Sequence, residues 1–435
     1  MRLALVLLLV VFGALPVHRA RAQQPQKEGE IITSQGDTLR YRYTPLPGTV
    51  VSDPAAYADT AAVRRRNIFR RIIDYYAAAN VDHTYDKRID FNFILGPSYS
   101  QEMSFTIGAL ASGLYRLDRR DSITPPSNLS IFGTAGVKGF WAIGVSGNNL
   151  FRGQRSRINY ETSFRSMPAY YWGRGYDMAM DDYNGRPYTE KRFAFTGNYL
   201  HRVFENAYIG VAVDAIYSNG KQKETFTFDD PETGEPVTTG FLQTLAEEGE
   251  SAKNAAVGIG AVLEYDSRDF IPNPHKGIYI GIKELVRPGF LNNHHVTMLQ
   301  TIASFNAYKR IWRDCILAYD LSGDFNSENT PWCMIARMGG SKRMRGYYQG
   351  RFTDYCMITT QLELRQRIWQ RIGCVVWAGA GNVFPNFREY RWEHTLPNYG
   401  VGLRWEFKRR VNIRIDYGFG KGKNNNILFN IDEAF

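Results

Sequence analysis

The chain has 435 residues, a formal net charge of +10, 14% aromatic residues and 40 glycines, yet its mean hydropathy is only −0.37. Its basic residues are scattered through strand-like segments, which argues against a nucleic-acid partner. No histidine or cysteine spacing indicates a metal site, and we expect no cofactor and no catalytic constellation, hence no enzyme. Many aromatics with modest hydropathy are typical of membrane strands that alternate lipid-facing and lumen-facing residues.

The N-terminus has the pattern of a secretory signal peptide. Arg2 precedes an apolar run from Leu3 to Leu15, and Pro16 is followed by small residues around Arg21. The run is shorter than the roughly 20 residues that a spanning helix needs. We predict that residues 1–22 are removed and that the rest of the chain is exported.

Residues 23–86 are predicted to form a periplasmic segment. A loose, proline-containing stretch comes first, and a helical pattern follows from about Tyr57 to Ala79. The helix is amphipathic and basic, because an apolar stripe at helical spacing runs beside an arginine cluster. Three roles remain open: covering the barrel mouth, binding acidic lipid head groups, or docking a client or an envelope-complex subunit. The stripe is Phe69, Ile72, Ile73 and Tyr76, and the cluster is Arg64, Arg65, Arg66, Arg70 and Arg71.

Residues 87–435 alternate apolar and polar positions in a series of short segments separated by turn residues. The alternation is clearest in Val411–Tyr417 and Val401–Phe407, where charged residues occupy one face. A water-filled lumen accepts those charges, whereas a packed core would not. We predict an all-β fold, a transmembrane antiparallel barrel of about 16 strands in the bacterial outer membrane, with both termini periplasmic. Residues 128–148 fit either one long strand or two short ones.

The last residues resemble the sorting signal of bacterial outer-membrane barrels, since the chain ends on an aromatic. Period-two alternation is expected to put Phe429, Ile431 and Phe435 on one face of a terminal strand. Three of the four cysteines, Cys315, Cys356 and Cys374, have the lipid-facing parity of their strands and are interpreted as small hydrophobic residues. Cys333 lies in a long loop, and a disulfide with Cys356 is left open.

One segment contains two glycine clusters around a single arginine, Gly339-Gly340 and Met344-Arg345-Gly346-Tyr347. Glycines allow a backbone to reverse, and a nearby arginine can carry its charge into a polar cavity. The segment resembles the Val-Arg-Gly-Phe/Tyr signature of the BamA/TamA and two-partner-secretion transporter superfamily. The resemblance implies a sixth extracellular loop that folds back into a sixteen-stranded barrel.

Two further segments resemble the same family. The first is the turn Asp266-Ser267-Arg268-Asp269, which is followed by Gly277, and the second is the C-terminal run from Gly402 to Ile431. The turn resembles the family's Asp-x-Arg-Asp…Pro…Gly pattern between adjacent strands. Together the three matches cover most of the predicted barrel.

The resemblance implies that the loop arginine pairs with carboxylates on the inner wall and locks the loop. Here Glu363 is the expected first partner of Arg345. The family's second carboxylate is replaced, because Gly379 stands where an aspartate is expected. Asp416 is the candidate substitute, and the alternative is an Arg345 that hydrogen-bonds only to loop carbonyls.

Two functions remain open. Family members that fold or export proteins carry POTRA domains ahead of the barrel, and residues 23–86 are too short for the POTRA pattern. The first function is assembly or translocation of outer-membrane proteins through a lateral seam between Lys87–Tyr99 and Asn426–Phe435. The second is a closed barrel that acts as a channel or as a structural partner in an envelope complex. The expected partners are outer-membrane lipids and client proteins or envelope subunits, and the sequence does not give the oligomeric state.

Overall fold

The computed structural model describes residues 27–32, 38–43, 84, 87–118, 120–121, 124–229, 236–408, 410–431 and 433–435. The chain divides into two units, Met1–Asn67 and Ile68–Phe435. In the first unit, strands β1 (Lys27–Ile32) and β2 (Thr38–Tyr43) form an antiparallel pair. This pair corrects the prediction of a loose stretch, because alternation in Thr38–Tyr43 favours a strand. The predicted signal peptide, residues 1–22, and the helix from Tyr57 to Ala79 lie outside the described residues.

The second unit contains a closed antiparallel barrel of sixteen strands, which confirms the predicted fold class. Residues 128–148 form two of these strands, β5 (Ser127–Gly136) and β6 (Trp141–Leu150), which pair with each other. The barrel strands are β3 (Asp90–Ser100), β4 (Ser104–Tyr115), β5 (Ser127–Gly136), β6 (Trp141–Leu150), β7 (Ser156–Tyr171), β8 (Arg186–Phe204), β9 (Ala207–Gln222), β12 (Lys253–Asp266), β13 (Gly277–Arg287), β14 (Met298–Trp312), β15 (Cys315–Asn326), β18 (Cys356–Trp369), β19 (Ile372–Phe384), β20 (Leu396–Lys408), β21 (Val411–Phe419) and β22 (Asn425–Ile431).

Polar side chains face the lumen and apolar side chains face outward, which is the reverse of a soluble protein. On β20, Leu403 and Trp405 are exposed on the outer surface, while Arg404 between them is buried. On β21, Tyr417 is exposed, and Arg414 and Asp416 are buried. Outward apolar residues suit a hydrocarbon environment, and the closed ladder leaves few backbone groups unpaired. No helix among the described residues is long and apolar enough to cross a membrane.

The two barrel ends differ in their connections. The base, which carries the C-terminus, has tight turns such as 313–314 and 370–371, whereas the top carries the long loops. The largest loops are residues 223–252 and residues 327–355, which we call loop 6. The loop elements are α1 (Tyr176–Met180), α2 (Phe241–Glu247), β10 (Thr225–Asp229), β11 (Pro236–Gly240), β16 (Ala336–Arg337), β17 (Thr353–Asp354) and single 3-10 turns at Arg152–Gln154, Asp182–Asn184, Gly289–Leu291 and Trp392–His394.

The barrel closes through a short seam between its first and last strands. The register of β22 with β3 contains one pair, Phe429 with Tyr99. In contrast, β3 pairs with β4 along its whole length, and β22 pairs with β21 from Asn425 to Ile431. Fewer ladder bonds make this junction the easiest one to separate.

Candidate functional site: the lumenal lock and the seam

Loop 6 enters the lumen because its glycines adopt conformations that other residues avoid. Gly339, Gly340 and Gly346 have φ angles of 101°, 105° and 120°. A Cβ at Gly346 would lie 2.9–3.0 Å from backbone atoms of Gly418 and Phe419 on β21. The loop backbone therefore lies directly against the barrel wall at this point, and only glycine fits there.

Arg345 is fully buried and lies between two carboxylates of the barrel wall. Its guanidinium donates one hydrogen bond to Glu363 on β18 and another, of 2.8 Å, to Asp416 on β21. Its Cζ lies 3.6 Å from the ring centroid of Trp377 on β19. Charge pairing, a cation–π contact and burial together fix the arginine in one position.

Gly379 lies on the lumenal face of β19, close to the neighbouring strand. A Cβ at this position would be 2.4 Å from the carbonyl oxygen of Thr360, so this backbone arrangement excludes a larger residue. The second carboxylate is instead Asp416, two strands further along the wall. The structure therefore brings together Arg345, Glu363 and Asp416.

The carboxylates around Arg345 belong to a larger buried ion network. Arg404 binds Asp416 at 2.6 Å and Glu433 at 2.9 Å, and Arg365 binds Glu363 at 2.7 Å. Arg414 binds Asp416 at 3.1 Å. Four arginines thus face three carboxylates in the lower lumen. We call this set the lock network: Arg345, Arg365, Arg404, Arg414, Glu363, Asp416 and Glu433.

Further contacts hold the loop tip against β20 and the loop that follows β21. The Tyr347 hydroxyl donates to the carbonyl of Pro397 at 2.6 Å and accepts from the backbone N–H of Lys421 at 2.7 Å. The side-chain amide of Asn398 donates to the carbonyl of Arg345. These bonds leave the tip few ways to move without losing several partners at once.

A second anchor holds the other limb of loop 6 to the opposite wall. Glu190 on β8 is buried and lies 3.4 Å from Arg337 of the loop. Arg192 on the same strand donates to the carbonyl of Cys333 at 2.7 Å. Trp332 packs among Tyr171, Tyr188 and Phe241. All four cysteines are free, so the bridge considered between Cys333 and Cys356 is not formed.

The predicted turn residues lie together at the base, between β12 and β13. The Arg268 side chain donates to both carboxylate oxygens of Asp266 at 2.9 and 2.8 Å. Asp269 accepts from the backbone N–H of His275 at 2.9 Å. Gly277 has φ = 108°, and a Cβ there would be 2.3 Å from the carbonyl of Ser267. These contacts fix the shape of this base turn.

The C-terminus differs from the sequence-based expectation. Phe429 and Ile431 belong to β22, but the strand ends at Ile431, and Phe435 is not on its outer face. The carbonyl of Phe435 accepts a 3.0 Å hydrogen bond from Arg365, whose Cζ lies 5.1 Å from the Phe435 ring centroid. Glu433 explains the turn: its carboxylate is stabilised by the arginines inside the lumen and would be costly to place in lipid.

Sequence reasoning missed the arginines that complete the lock network. Arg404 and Arg414 were recognised only as lumen-facing charges, and Glu433 was not singled out. Alternation with apolar residues placed Arg404 and Arg414 on the inner face, whereas Glu433 has the parity of the apolar residues Phe429 and Ile431. No spacing in the sequence indicated that strands β18, β20 and β21 would bring the arginines together. Trp377, which covers Arg345, was assigned no role from the sequence.

The closed barrel, its charged lumen and the inward-folded loop define the class of transmembrane β-barrel proteins. Residues 146–435, about two thirds of the chain, match the Omp85 superfamily domain, and the chain belongs to this superfamily. It is therefore an integral outer-membrane barrel. Omp85 barrels are non-enzymatic, and this chain is not an enzyme. The predicted BamA/TamA-type resemblance is confirmed.

Three solved structures share the fold. BamA from Haemophilus ducreyi lacking POTRA domains 1-3 matches with a TM-score of 0.52 and 12% identity, covering 80% of this chain and 70% of that chain. CdiB from Escherichia coli matches with a TM-score of 0.51 and 10% identity, covering 95% of this chain and 68% of that chain. CdiB from Acinetobacter baumannii matches with a TM-score of 0.50 and 9% identity, covering 80% of this chain and 60% of that chain. No curated protein matches the sequence.

Proposed function

We propose that this barrel assembles or translocates outer-membrane proteins through the seam between β3 and β22. The observation that carries the proposal is the single residue pair, Phe429 with Tyr99, that joins these strands. A strand edge with few backbone partners is a template on which another strand can add. Clients would then be outer-membrane proteins, whose own strands could pair with the free edge.

Residues of β3 add support for an opening edge. Pro97 has no backbone N–H to donate, and proline in sheets is largely confined to edge strands. Gly96 precedes it, and a Cβ there would meet only the side chain of Ile431, at 3.6 Å. Strand β3 can therefore donate fewer backbone hydrogen bonds to a neighbour than a central strand can, and its separation from β22 costs less.

The lock network would control this opening from inside the barrel. Arg404 binds both Asp416, a partner of Arg345, and Glu433, which follows the seam strand β22. Loop 6 and the C-terminal tail are thus connected through Asp416 and Arg404. In the proposed cycle, the locked loop 6 keeps the C-terminal tail inside the lumen and the seam closed. Release of loop 6 from the lock network then weakens the binding of the tail, and release of the tail weakens the binding of loop 6.

The proposed orientation puts the base in the periplasm and loop 6 outside the cell. Tight turns at the base and long loops at the top agree with the usual asymmetry of outer-membrane barrels. In this orientation the C-terminus is periplasmic, and clients approach the seam from the periplasmic side.

A cross-linking experiment tests the proposal. In a background with the four native cysteines replaced by alanine, Tyr99→Cys and Phe429→Cys would join the seam by a disulfide. The matched control is Tyr417→Cys with Ile427→Cys, which joins the β21–β22 ladder. We expect only the seam disulfide to lower outer-membrane protein levels, with recovery on reduction. Equal protein levels for both pairs would contradict the proposal and favour a closed barrel with a channel or structural role.

A further inference from the structure

A small cavity at the base is surrounded by more cations than anions. Its volume is about 70 Å³, and three carboxylates line it: Asp314, Glu406 and Glu433. The cavity is partly open: Arg365 and Arg404 are buried in its wall, whereas Arg310, Arg367 and Arg371 are exposed at its mouth. The low-dielectric wall around the buried pair concentrates the positive potential there. The cations come from β14, β18, β20 and two base turns: Arg310, Arg365, Arg367, Arg371, Arg404 and Arg410.

The three carboxylates already have partners. Glu433 binds Arg404 at 2.9 Å, and Glu406 binds Arg367 at 3.2 Å. Asp314 lies 3.7 Å from Arg313, a residue that does not line the cavity. Glu406 and Glu433 are thus paired with Arg367 and Arg404, and no carboxylate of the described residues forms an ion pair with Arg310 on β14 or Arg371 in the β18–β19 turn.

Several guanidinium nitrogens at the cavity lack an acceptor. Arg365 and Arg404 are at least nine-tenths buried, yet Nη1 of the first and Nη2 of the second have no hydrogen-bond partner in the described residues. Among the described residues, the exposed side chain of Arg310 hydrogen-bonds to the Nδ1 of His275 at 3.2 Å. Leaving a buried donor unsatisfied costs about 1–3 kcal/mol, so the wall favours a ligand rich in acceptor oxygens.

The pKa of His275 also indicates a positive electrostatic potential at this cavity. Burial lowers the pKa of its imidazole, and the neighbouring Arg410, Arg310 and Arg367 lower it further, to about 4 against the opposing effect of Asp269. The imidazole is therefore neutral near pH 7, and its Nδ1 can accept from Arg310. The positive charge that an anion meets in this cavity comes from the arginines alone.

We propose that this cavity binds a phosphate group. The planar guanidinium group of arginine carries a positive charge and paired N–H donors whose spacing matches the oxygens of a phosphate. The volume exceeds the roughly 10–15 Å³ that one water needs and is far below the roughly 300 Å³ of a small-molecule pocket. Two sources share this chemistry: free phosphate and a lipid head group. Exposed Trp312 and Trp369, the last residues of β14 and β18, are typical of the head-group level of a membrane.

The test uses the full-length protein and two arms. Inorganic phosphate is titrated into detergent-solubilised protein by calorimetry, and phosphatidylglycerol retention is measured by native mass spectrometry after reconstitution with phosphatidylglycerol and phosphatidylcholine. The variant combines Arg310→Gln and Arg371→Gln, which leave the lock network unchanged. Arg313→Gln is the control, because its side chain is 96% exposed and lies outside the cavity.

We expect binding that weakens at least tenfold in the double variant and is unchanged in the control. Saturable phosphate binding with this pattern supports a free-anion site. Selective retention of phosphatidylglycerol that is lost in the double variant and kept in Arg313→Gln, without phosphate binding, supports a lipid head-group site. Absence of binding in both arms, or equal loss in Arg313→Gln, overturns the proposal. An unchanged urea-unfolding midpoint shows that the double variant is folded. If it is misfolded, the single variant Arg310→Gln is used with the same criteria.

Discussion

Replacing Glu363 with glutamine tests the lock network by removing one charge and little volume. Glu363 is fully buried and binds Arg345 and, at 2.7 Å, Arg365. The substitution changes a network of four cations and three anions into one of four cations and two anions. Replacing Arg345 with methionine does the opposite, because three cations then face three anions. The two variants are therefore expected to differ in stability.

The contacts in the lock network determine which of the two substitutions lowers the free energy of unfolding more. Breaking a buried ion pair by removing one partner costs about 3–5 kcal/mol. In Glu363→Gln, the amide oxygen still accepts a hydrogen bond and Arg345 keeps Asp416 at 2.8 Å, which reduces the expected loss to about 2–4 kcal/mol. In Arg345→Met, both carboxylates keep an arginine, and we expect about 1–2 kcal/mol.

Urea unfolding of the barrel in phospholipid vesicles measures both losses. The control is Glu161→Gln, an exposed glutamate on β7 outside the network. Trypsin cleavage within loop 6 should accelerate in both lock variants and stay unchanged in the control. Unfolding of Glu363→Gln at the same urea concentration as the control, or a larger loss of stability in Arg345→Met than in Glu363→Gln, would contradict this role of the network charges.

Three further predictions follow from single contacts. Gly418→Ala would place a Cβ 2.3 Å from the carbonyl of Arg345, so we expect displacement of loop 6 and a loss of about 1–3 kcal/mol, measured by proteolysis and unfolding. Gly133→Ala, where no atom lies within 4 Å, should have little effect, and equal behaviour of the two would disprove the close packing. Burial raises the pKa of Asp354 in loop 6 from 3.8 to about 7, against the lowering effect of Arg174. The folded state therefore holds this proton more tightly than the unfolded state, so stability is greatest below about pH 4, falls as the pH rises to 7 and is constant above it. Asp354→Asn should remove this slope and raise the melting temperature at pH 8 but not at pH 4; equal gains at both values would refute the assignment. Glu433→Gln should release the C-terminal tail at a cost of about 1–3 kcal/mol and increase single-channel conductance in planar bilayers, and unchanged conductance would argue against a tail that closes the lumen.

The barrel could be predicted from the sequence because its pattern is local. Period-two alternation in segments such as Val411–Tyr417 determines which face of each strand meets lipid, and turn residues mark the strand ends. Strand number followed from counting such segments. The pair β1–β2 was missed because prolines downstream of it dominated the interpretation of residues 23–86. Residues 128–148 were ambiguous because Lys138 and Gly139 form a turn that also resembles a bulge.

The lock was predicted only where the family pattern indicated it. Glu363 was named as a partner of Arg345 by resemblance, and Asp416 was named as a substitute for the missing aspartate. The position of Phe435 could not be read from alternation, because a charge four strands away in the ladder, Arg365, attracts the chain into the lumen. Contacts between distant strands depend on barrel closure and register, which short sequence patterns do not encode.

Distance measurement across the seam tests the central claim most directly. Spin labels at Ile107 on β4 and Ile427 on β22 lie at exposed outer positions on either side of β3, and labels at Ile209 on β9 and Ile282 on β13 lie on either side of β12, which is paired with both neighbours there. We predict that pulsed electron resonance in lipid bilayers gives a second, longer distance for the seam pair, which Arg345→Met makes more populated, and one narrow distance for the control pair. A single narrow distance at the seam, unchanged by Arg345→Met, would contradict a laterally opening barrel controlled by loop 6.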